Sequence, residues 1–234
     1  PLVMLAGAVA GALGMLGPAW LKTRLGVDEV VTTLLSNFVI LLFVQMMLEG
    51  PLQDPMGMGW PQSAPVVPAA ELPPLVERMR VHAGLLVGLA AAVIAAVAIA
   101  RTTWGLRVRA VGENPAAARH AGIPVGRTLL GVAIVSGGFA GLAGAGEIAG
   151  LKGYLTADLS PGFGYAGIVV AMLAGLSPLG VVAAALFIAA VFVGADSMSR
   201  ALGVSSYLAD LVVALALLCV LVGGFVARYR IVRR

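Results

Sequence analysis

The sequence predicts an all-α integral membrane protein, built as a polytopic helical bundle. Hydrophobic residues make up 60% of the 234 residues, and charged residues only 11%. A soluble domain of this length could not bury so much apolar surface. The apolar residues also form long runs separated by polar breaks, as expected of helices that cross a hydrocarbon layer about 30 Å thick.

Seven membrane spans are predicted in chain order. They cover residues 2–20, 30–48, 83–100, 129–150, 164–176, 180–195 and 206–227. The first is rich in glycine at positions 7, 11, 14 and 17, and the fourth carries the small-xxx-small pairs Gly137/Gly141 and Gly146/Gly150. Small residues at these spacings allow membrane helices to approach closely, so both spans are expected to pack tightly.

The fifth and sixth spans come from a single apolar run, residues 164–195, which is too long for one ordinary span of about 20 residues. The sequence Gly175-Leu-Ser-Pro-Leu-Gly180 interrupts this run near its middle. We therefore predict two short half-helices with a Ser177–Pro178 turn near the cytoplasmic side. Broken helices of this kind are tolerated in membranes where protein or water satisfies their backbone.

The first half of the second span is unusually polar. It contains Thr32, Thr33, Ser36 and Asn37, which fall in two pairs spaced four residues apart. Polar side chains in a membrane helix face a neighbouring helix or a cavity. Two interpretations stay open: hydrogen bonding to another helix, or lining the path of a polar substrate.

The distribution of charge predicts which segments face the cytoplasm. Residues 101–128 carry Arg101, Arg107, Arg109, Arg119 and Arg127 against one acid, and Arg228, Arg230, Arg233 and Arg234 close the chain. Excess arginine marks cytoplasmic segments, so both regions are placed inside. The proline- and glycine-rich loop 49–82 has four acids against two arginines and is placed outside.

A short helix is predicted at the centre of residues 101–128. Asn114 suits the N-cap, Pro115 the first helical position, and Gly122 the left-handed position after the last turn. Pro124 is expected to prevent the helix from resuming. So short a helix is unstable alone, which implies that it rests on a partner. The alternative is that this basic loop only fixes the topology.

Little in the chain suggests catalysis. It has neither a G-x-x-x-x-G-K-[ST] phosphate loop nor an H-E-x-x-H zinc motif, and His82 and His120 are predicted on opposite sides of the membrane. The lone Cys219 offers no disulfide or cysteine metal site and reads as a small core residue. We therefore expect no enzyme, metal or cofactor. Because the chain begins at Pro1 rather than Met, it is also expected to lack an N-terminal portion.

Residues 105–123 (GLRVRAVGENPAAARHAGI) resemble the cytoplasmic loop of ABC-importer permeases of the ribose and branched-chain amino acid superfamily. Residues 27–37 (VDEVVTTLLSN), 50–55 (GPLQDP) and 60–63 (WPQS) resemble its nucleoside or simple-sugar branch, and residues 164–171 and 177–180 extend the resemblance. The resemblance implies a type II-like permease fold of about ten helices, of which this chain would keep about seven.

The resemblance also implies a function and partners. The protein would be a permease subunit in the plasma membrane of a prokaryote, moving a polar small molecule, with a nucleoside preferred over a monosaccharide or a branched-chain amino acid. Its partners would be a cytoplasmic ATP-binding subunit, a second permease forming a heterodimer, an extracytoplasmic substrate-binding lipoprotein and membrane lipid, without nucleic acid. An ion-coupled secondary transporter is the alternative from another class, but such transporters usually carry mid-membrane acids or histidines, and the predicted spans have none.

Two sets of residues are candidates for function. The predicted ATPase-coupling residues are Arg109, Gly112, Glu113, Asn114, Pro115, Ala117, Ala118, Arg119 and Gly122, and the predicted substrate path is Thr32, Thr33, Ser36 and Asn37. The sequence departs from the importer motif EAA-x3-G, because Ala116 stands where the motif has glutamate and the acid lies earlier, at Glu113. A salt bridge from position 116 is therefore not expected.

Overall fold

The computed structural model describes residues 2–75, 81–160 and 162–202, with scattered positions between 211 and 226. In the continuous ranges the chain forms α1 (Leu2–Leu25), α2 (Glu29–Leu48), α3 (Gly84–Arg101), α4 (Thr103–Glu113), α5 (Pro115–His120), α6 (Val125–Glu147), α7 (Phe163–Leu173) and α8 (Pro178–Leu202). A 3-10 turn occupies Pro68–Ala70, and a π-helical turn, Ile148–Lys152, continues α6. The predicted span 206–227 lies largely outside the described residues, and the C-terminal arginines lie wholly outside them.

Five of the described helices are long and apolar enough to cross a membrane: α1, α2, α3, α6 with its π turn, and α8. The prediction of an all-α polytopic membrane protein is confirmed. Helix α7 has 11 residues and is about 16 Å long, roughly half the hydrocarbon thickness.

The chain divides into two compact units. The first contains the described residues of Pro1–Ala91 and Val97–Ser160, and the second those of Ala92–Ala96 and Pro161–Arg234. Helices α1, α2, α4, α5 and α6 belong to the first unit, and α7 and α8 to the second.

Helices α1 and α6 touch through their backbones. A Cβ atom added at Gly7 would lie 2.8 Å from the carbonyl oxygen of Gly141, and one at Gly137 would lie 2.9 Å from the Cβ atom of Met15. A Cβ atom at Gly11 would overlap the carbonyl oxygen of Gly137 and would lie 2.8 Å from the backbone nitrogen of Gly141. Only glycine permits this approach. Gly14 and Gly17 on the same helix face open space, so only half of the predicted glycine face of α1 packs in this way.

A sharp corner joins α3 to α4 at Thr102. Its hydroxyl donates to the carbonyl of Ala98 at 2.5 Å and accepts the backbone N–H of Gly105 at 3.0 Å. Gly105 is buried against the backbone of Ala98 and Ile99, leaving no room for a side chain.

The structure corrects two expectations for residues 101–128. Helix α4 was not predicted, although Trp104, Val108 and Val111 repeat at the spacing of one helical face. Helix α5 ends before Pro124, and a separate helix, α6, begins at Val125 rather than at the predicted residue 129. The carbonyl of Pro124 accepts the N–H of Thr128 at 3.0 Å, and a proline at a helix start loses no internal hydrogen bond.

The second unit corrects the prediction of two half-helices at 164–176 and 180–195. Helix α7 is short, but α8 runs for 25 residues, beginning at Pro178 before the predicted start at Gly180 and continuing past Asp196. Ala166 and Val170 of α7 pack against Ala184 and Ile188 of α8. The turn between the two helices lies at residues 174–176 rather than at Ser177–Pro178, because Pro178 is already the first residue of α8. The Ser177 hydroxyl accepts the N–H of Gly180 at 3.3 Å, in the first turn of α8.

The loop at residues 49–82 is hydrogen-bonded to the chain that follows α6. The bonds join Ser63 N–H to the Leu155 carbonyl at 3.0 Å, Leu155 N–H to the Ser63 hydroxyl at 2.9 Å, Val66 N–H to the Gly153 carbonyl at 2.6 Å, and Leu72 N–H to the Ala149 carbonyl at 2.7 Å. The described part of this loop is therefore an ordered layer over one end of α6, the end opposite α5.

Candidate coupling helix and substrate path

Helix α5 has the two caps predicted from the sequence. The Asn114 side chain accepts the N–H groups of Ala116 at 3.0 Å and Ala117 at 3.1 Å, and Pro115 occupies the first position. At the other end Gly122 has φ of +79°, the left-handed region. Its N–H donates to the Arg119 carbonyl, and the next residue, Ile123, donates to Ala118 at 3.0 Å. This pair of bonds is a Schellman motif, which closes the helix end.

A small apolar core supports α5 from below. Val111 of α4, Ala118 of α5 and Val125 of α6 are buried together, with Ile123 packed against them. This cluster was not predicted from the sequence, because its three buried members lie on three different helices. The support that so short a helix needs is thus supplied partly by its own chain.

The predicted coupling residues separate into an outer and an inner set. Arg109, Gly112, Glu113, Asn114, Pro115, Ala117, Arg119 and Gly122 are all exposed. Ala118 is only 4% exposed and belongs to the apolar core, so it holds α5 in place rather than facing outward. The exposed face of α5 carries the small side chains of Ala116 and Ala117, so a partner could approach its backbone closely.

The arginines around α5 have no acidic partner within the part of the chain that the structure describes. The two ion pairs found there are Lys22–Glu29 and Asp196–Arg200. Arg109 and Arg119 therefore present exposed positive charge beside the capped helix. Glu113 is also exposed and lies one residue before the Asn114 cap.

The polar residues of α2 differ in how they are satisfied. The Thr32 hydroxyl donates to the Asp28 carbonyl at 2.9 Å, and the Thr33 hydroxyl to the Glu29 carbonyl at 2.8 Å. Both threonines therefore satisfy their hydroxyls on their own helix. Ser36 is half-buried and Asn37 exposed, and neither forms a hydrogen bond with another described residue. Asn37 is thus the member of the set with most hydrogen-bonding capacity to offer a ligand.

Helix α8 contains a pair of oppositely charged residues that was not predicted. The predicted sixth span ended at residue 195, but α8 continues and carries Asp196, whose carboxylate is 2.6 Å from the Arg200 guanidinium. The pair lies in the last two turns of α8, near a helix end rather than at its centre. No group of three or more potential metal ligands occurs among the described residues.

Comparison with known proteins identifies the family. Residues 1–221 match the family model described as branched-chain amino acid transport system / permease component. The chain belongs to this permease family. The resemblance drawn from its residues is confirmed, and the permease is a multi-pass protein of a prokaryotic plasma membrane.

Three curated relatives cover most of this permease chain. A glucose ABC transporter permease of Haloferax volcanii is 40% identical over 99% of this chain and 63% of its own. A guanosine ABC transporter permease of Bacillus subtilis is 35% identical over 94% of this chain and 64% of its own. A nucleoside ABC transporter permease of Lactococcus lactis is 32% identical over 86% of this chain and 57% of its own. The permease chain therefore spans less than two thirds of the length of these relatives, and no solved structure matches it.

Proposed function

We propose that this protein is a permease subunit of an ATP-binding-cassette importer and that it carries a nucleoside inward across the plasma membrane. The geometry that supports this proposal best is α5. It is a two-turn helix with an exposed small surface, closed at both ends and braced from inside by Val111, Ala118 and Val125. Because its ends are capped and its inner face is packed, α5 could be displaced by a partner without unfolding.

The proposed partner at α5 is a separate ATP-binding subunit on the cytoplasmic side. Ala117 faces outward and permits close approach, and Arg119 adds positive charge beside it. The outer loop 49–82 is proposed to face the extracytoplasmic side, where a substrate-binding lipoprotein would deliver the substrate. The spacing supports opposite sides: α6 and its π turn separate the two regions by 28 residues, about 42 Å of helix. A second permease subunit would complete the pathway.

The nucleoside proposal is supported by two relatives whose names specify guanosine or nucleosides. Asn37 on α2 supports it chemically, because an exposed amide can both donate to and accept from a heterocyclic base or a ribose. A monosaccharide is the second candidate, because the 40% identical relative is a glucose permease. Guanosine and glucose uptake, each competed with the other unlabelled compound, would separate the two.

The test of the coupling role is a bulky residue on the exposed side of α5. Ala117→Trp should overpack an interface at this position, by roughly 1–3 kcal/mol. That corresponds to about a 5- to 150-fold loss of affinity for the ATP-binding subunit. The measurements are co-purification of that subunit and ATP-driven uptake, with membrane abundance determined in parallel.

Two variants serve as controls. Ala117→Ser keeps the small surface and should preserve association, and Ala69→Trp places the same bulk on an exposed position of the outer loop, away from α5. Full association and uptake by Ala117→Trp at normal abundance would contradict a coupling role for α5. It would favour the alternative that the basic residues only fix topology.

A further inference from the structure

We propose that α1, α5 and α6 move as one rigid body, so that displacement of α5 by the ATP-binding subunit is passed to α1 as well as to α6. This inference rests on the proposed function of α5. It concerns the internal construction of the first unit, which includes all three helices.

The connection between α5 and α6 is short and fixed by hydrogen bonds, so the two helices cannot easily tilt relative to each other. Only residues 121–124 separate the two helices. Two N–H groups in this joint, those of Gly122 and Ile123, donate back into α5, while the Pro124 carbonyl accepts the N–H of Thr128 in α6. Because Val125 is buried against Ala118, tilting α5 relative to α6 would open the apolar core as well as break these bonds.

The joint between α6 and α1 is a direct backbone contact. A Cβ atom at Gly141 would overlap the carbonyl oxygen of Gly7, and one at Gly11 would overlap that of Gly137. The contact spans one helical turn on each helix, and Gly7 and Ala145 extend it by a further turn on α6. Close-packed backbones resist sliding, since a shift along either axis brings carbonyl oxygens into the opposing chain. Movement of α6 therefore carries α1 with it.

Helix α4 belongs to the same body. The indole nitrogen of Trp104 lies beside Gly131, 3.4 Å from the position of a Cβ atom there, and Val111 belongs to the apolar core under α5. In contrast, α2 buries a single residue, Leu48, and is connected to α1 through Gly26, which has φ of +68° and open space around it. The ion pair Lys22–Glu29 joins α1 to α2, but both side chains are exposed, and such pairs contribute little. Relative movement within this unit is thus easier at the α1–α2 connection than between α1 and α6.

A disulfide across α1 and α6 tests this directly. A Cβ atom at Gly126, in the first turn of α6, would lie 4.0 Å from the Cβ atom of Thr23 on α1. Disulfides span Cβ separations of about 3.5–4.5 Å. The variant carries Thr23→Cys and Gly126→Cys in a Cys219→Ala background. It is assembled with its partner subunits in membrane vesicles, and the two cysteines are then oxidised. Completeness of the bond is measured by the loss of free thiols.

We expect the disulfide to form and the rate of ATP-driven uptake to be the same in oxidised and reduced vesicles. Loss of uptake on oxidation, recovered with a reductant, would overturn the proposal, as would failure of the bond to form. A reduced variant and a parent protein that both lack uptake and ATPase association would instead show that the proposed function is wrong, and the inference would fall with it.

A second measurement does not depend on transport activity. Spin labels on the same two cysteines report the distance between α1 and α6 in the assembled complex. The distance distribution should be unchanged between nucleotide-free and ATP-bound complexes. A shift of its maximum between these two states would show that the helices move against each other.

Discussion

The imidazole of His82 lies directly against Gly150, so closely that a Cβ atom at position 150 would overlap the ring. The ring cannot move away freely, because its Nδ1 atom accepts the N–H of Gly84 at 3.1 Å, at the start of α3. This contact fastens the end of the outer loop to the π-helical turn after α6.

Gly150→Ala is therefore expected to loosen the outer loop. Displacing the His82 ring would cost roughly 1–3 kcal/mol by overpacking. Protease treatment of right-side-out vesicles should cleave residues 49–82 faster in this variant. Gly144→Ala is the matched control, since a Cβ atom there meets open space. Equal cleavage of the two variants would show that His82 does not hold the loop.

The topology can be tested by cysteine labelling in a Cys219→Ala background. Met56 is 87% exposed in the outer loop, and Ala116 is exposed on α5. Met56→Cys should react with an impermeant maleimide in intact cells, and Ala116→Cys only after permeabilisation. Val125 would be a poor reporter because it is buried. Reaction of both cysteines in intact cells would disprove the proposed sidedness.

Asn37→Leu is expected to reduce nucleoside uptake without affecting insertion or ATPase association. Losing one or two ligand hydrogen bonds of about 0.5–1.5 kcal/mol each corresponds to a loss of roughly 2- to 150-fold in affinity. Thr33→Val is the control, because the Thr33 hydroxyl is already bonded to Glu29. If both variants transport normally, the polar face of α2 serves helix packing instead.

Gly122→Ala and Gly112→Ala should have opposite effects on stability. Gly122 is in the left-handed region, where an alanine costs about 1–2 kcal/mol. Gly112 lies within helix α4 with open space around it, where alanine is favourable by about 0.5–1 kcal/mol. The melting temperatures of the two purified variants should fall on either side of the parent. A parental melting temperature for Gly122→Ala would show that the cap contributes little.

The caps of α5 could be predicted because they depend on local chemistry: Asn114, Pro115 and Gly122 each act on groups within a few residues. Other features depend on which segments meet. The glycines of α1 and α6 were recognisable as packing residues, but no local pattern indicates that Gly7 faces Gly141 while Gly14 faces nothing. The inward orientation of Ala118 likewise follows from Val111 and Val125, which lie on two other helices.

The errors have physical causes as well. Gly180 was read as a helix boundary, but a glycine within an apolar helix lowers helix propensity by only about 1 kcal/mol. The predicted span stopped at residue 195, where the apolar run ends, whereas α8 continues and Asp196 pairs with Arg200, one turn later. The start of α6 was placed at residue 129, although Pro124 suits a helix start and leaves no hydrogen bond unmade there.

One hydroxyl at Thr102 closes two helices: the apolar α3 and the basic α4. Opening of the last turn of α3 or the first turn of α4 removes one of the two hydrogen bonds that hold this hydroxyl, and it weakens the other, because donated and accepted bonds at one hydroxyl strengthen each other. Amide protons on the two sides of the corner should exchange with solvent deuterium at matched rates, as a single cooperative unit. The bend between the two helices is thus expected to be protected from hydrogen exchange on both sides, and not to act as a flexible hinge.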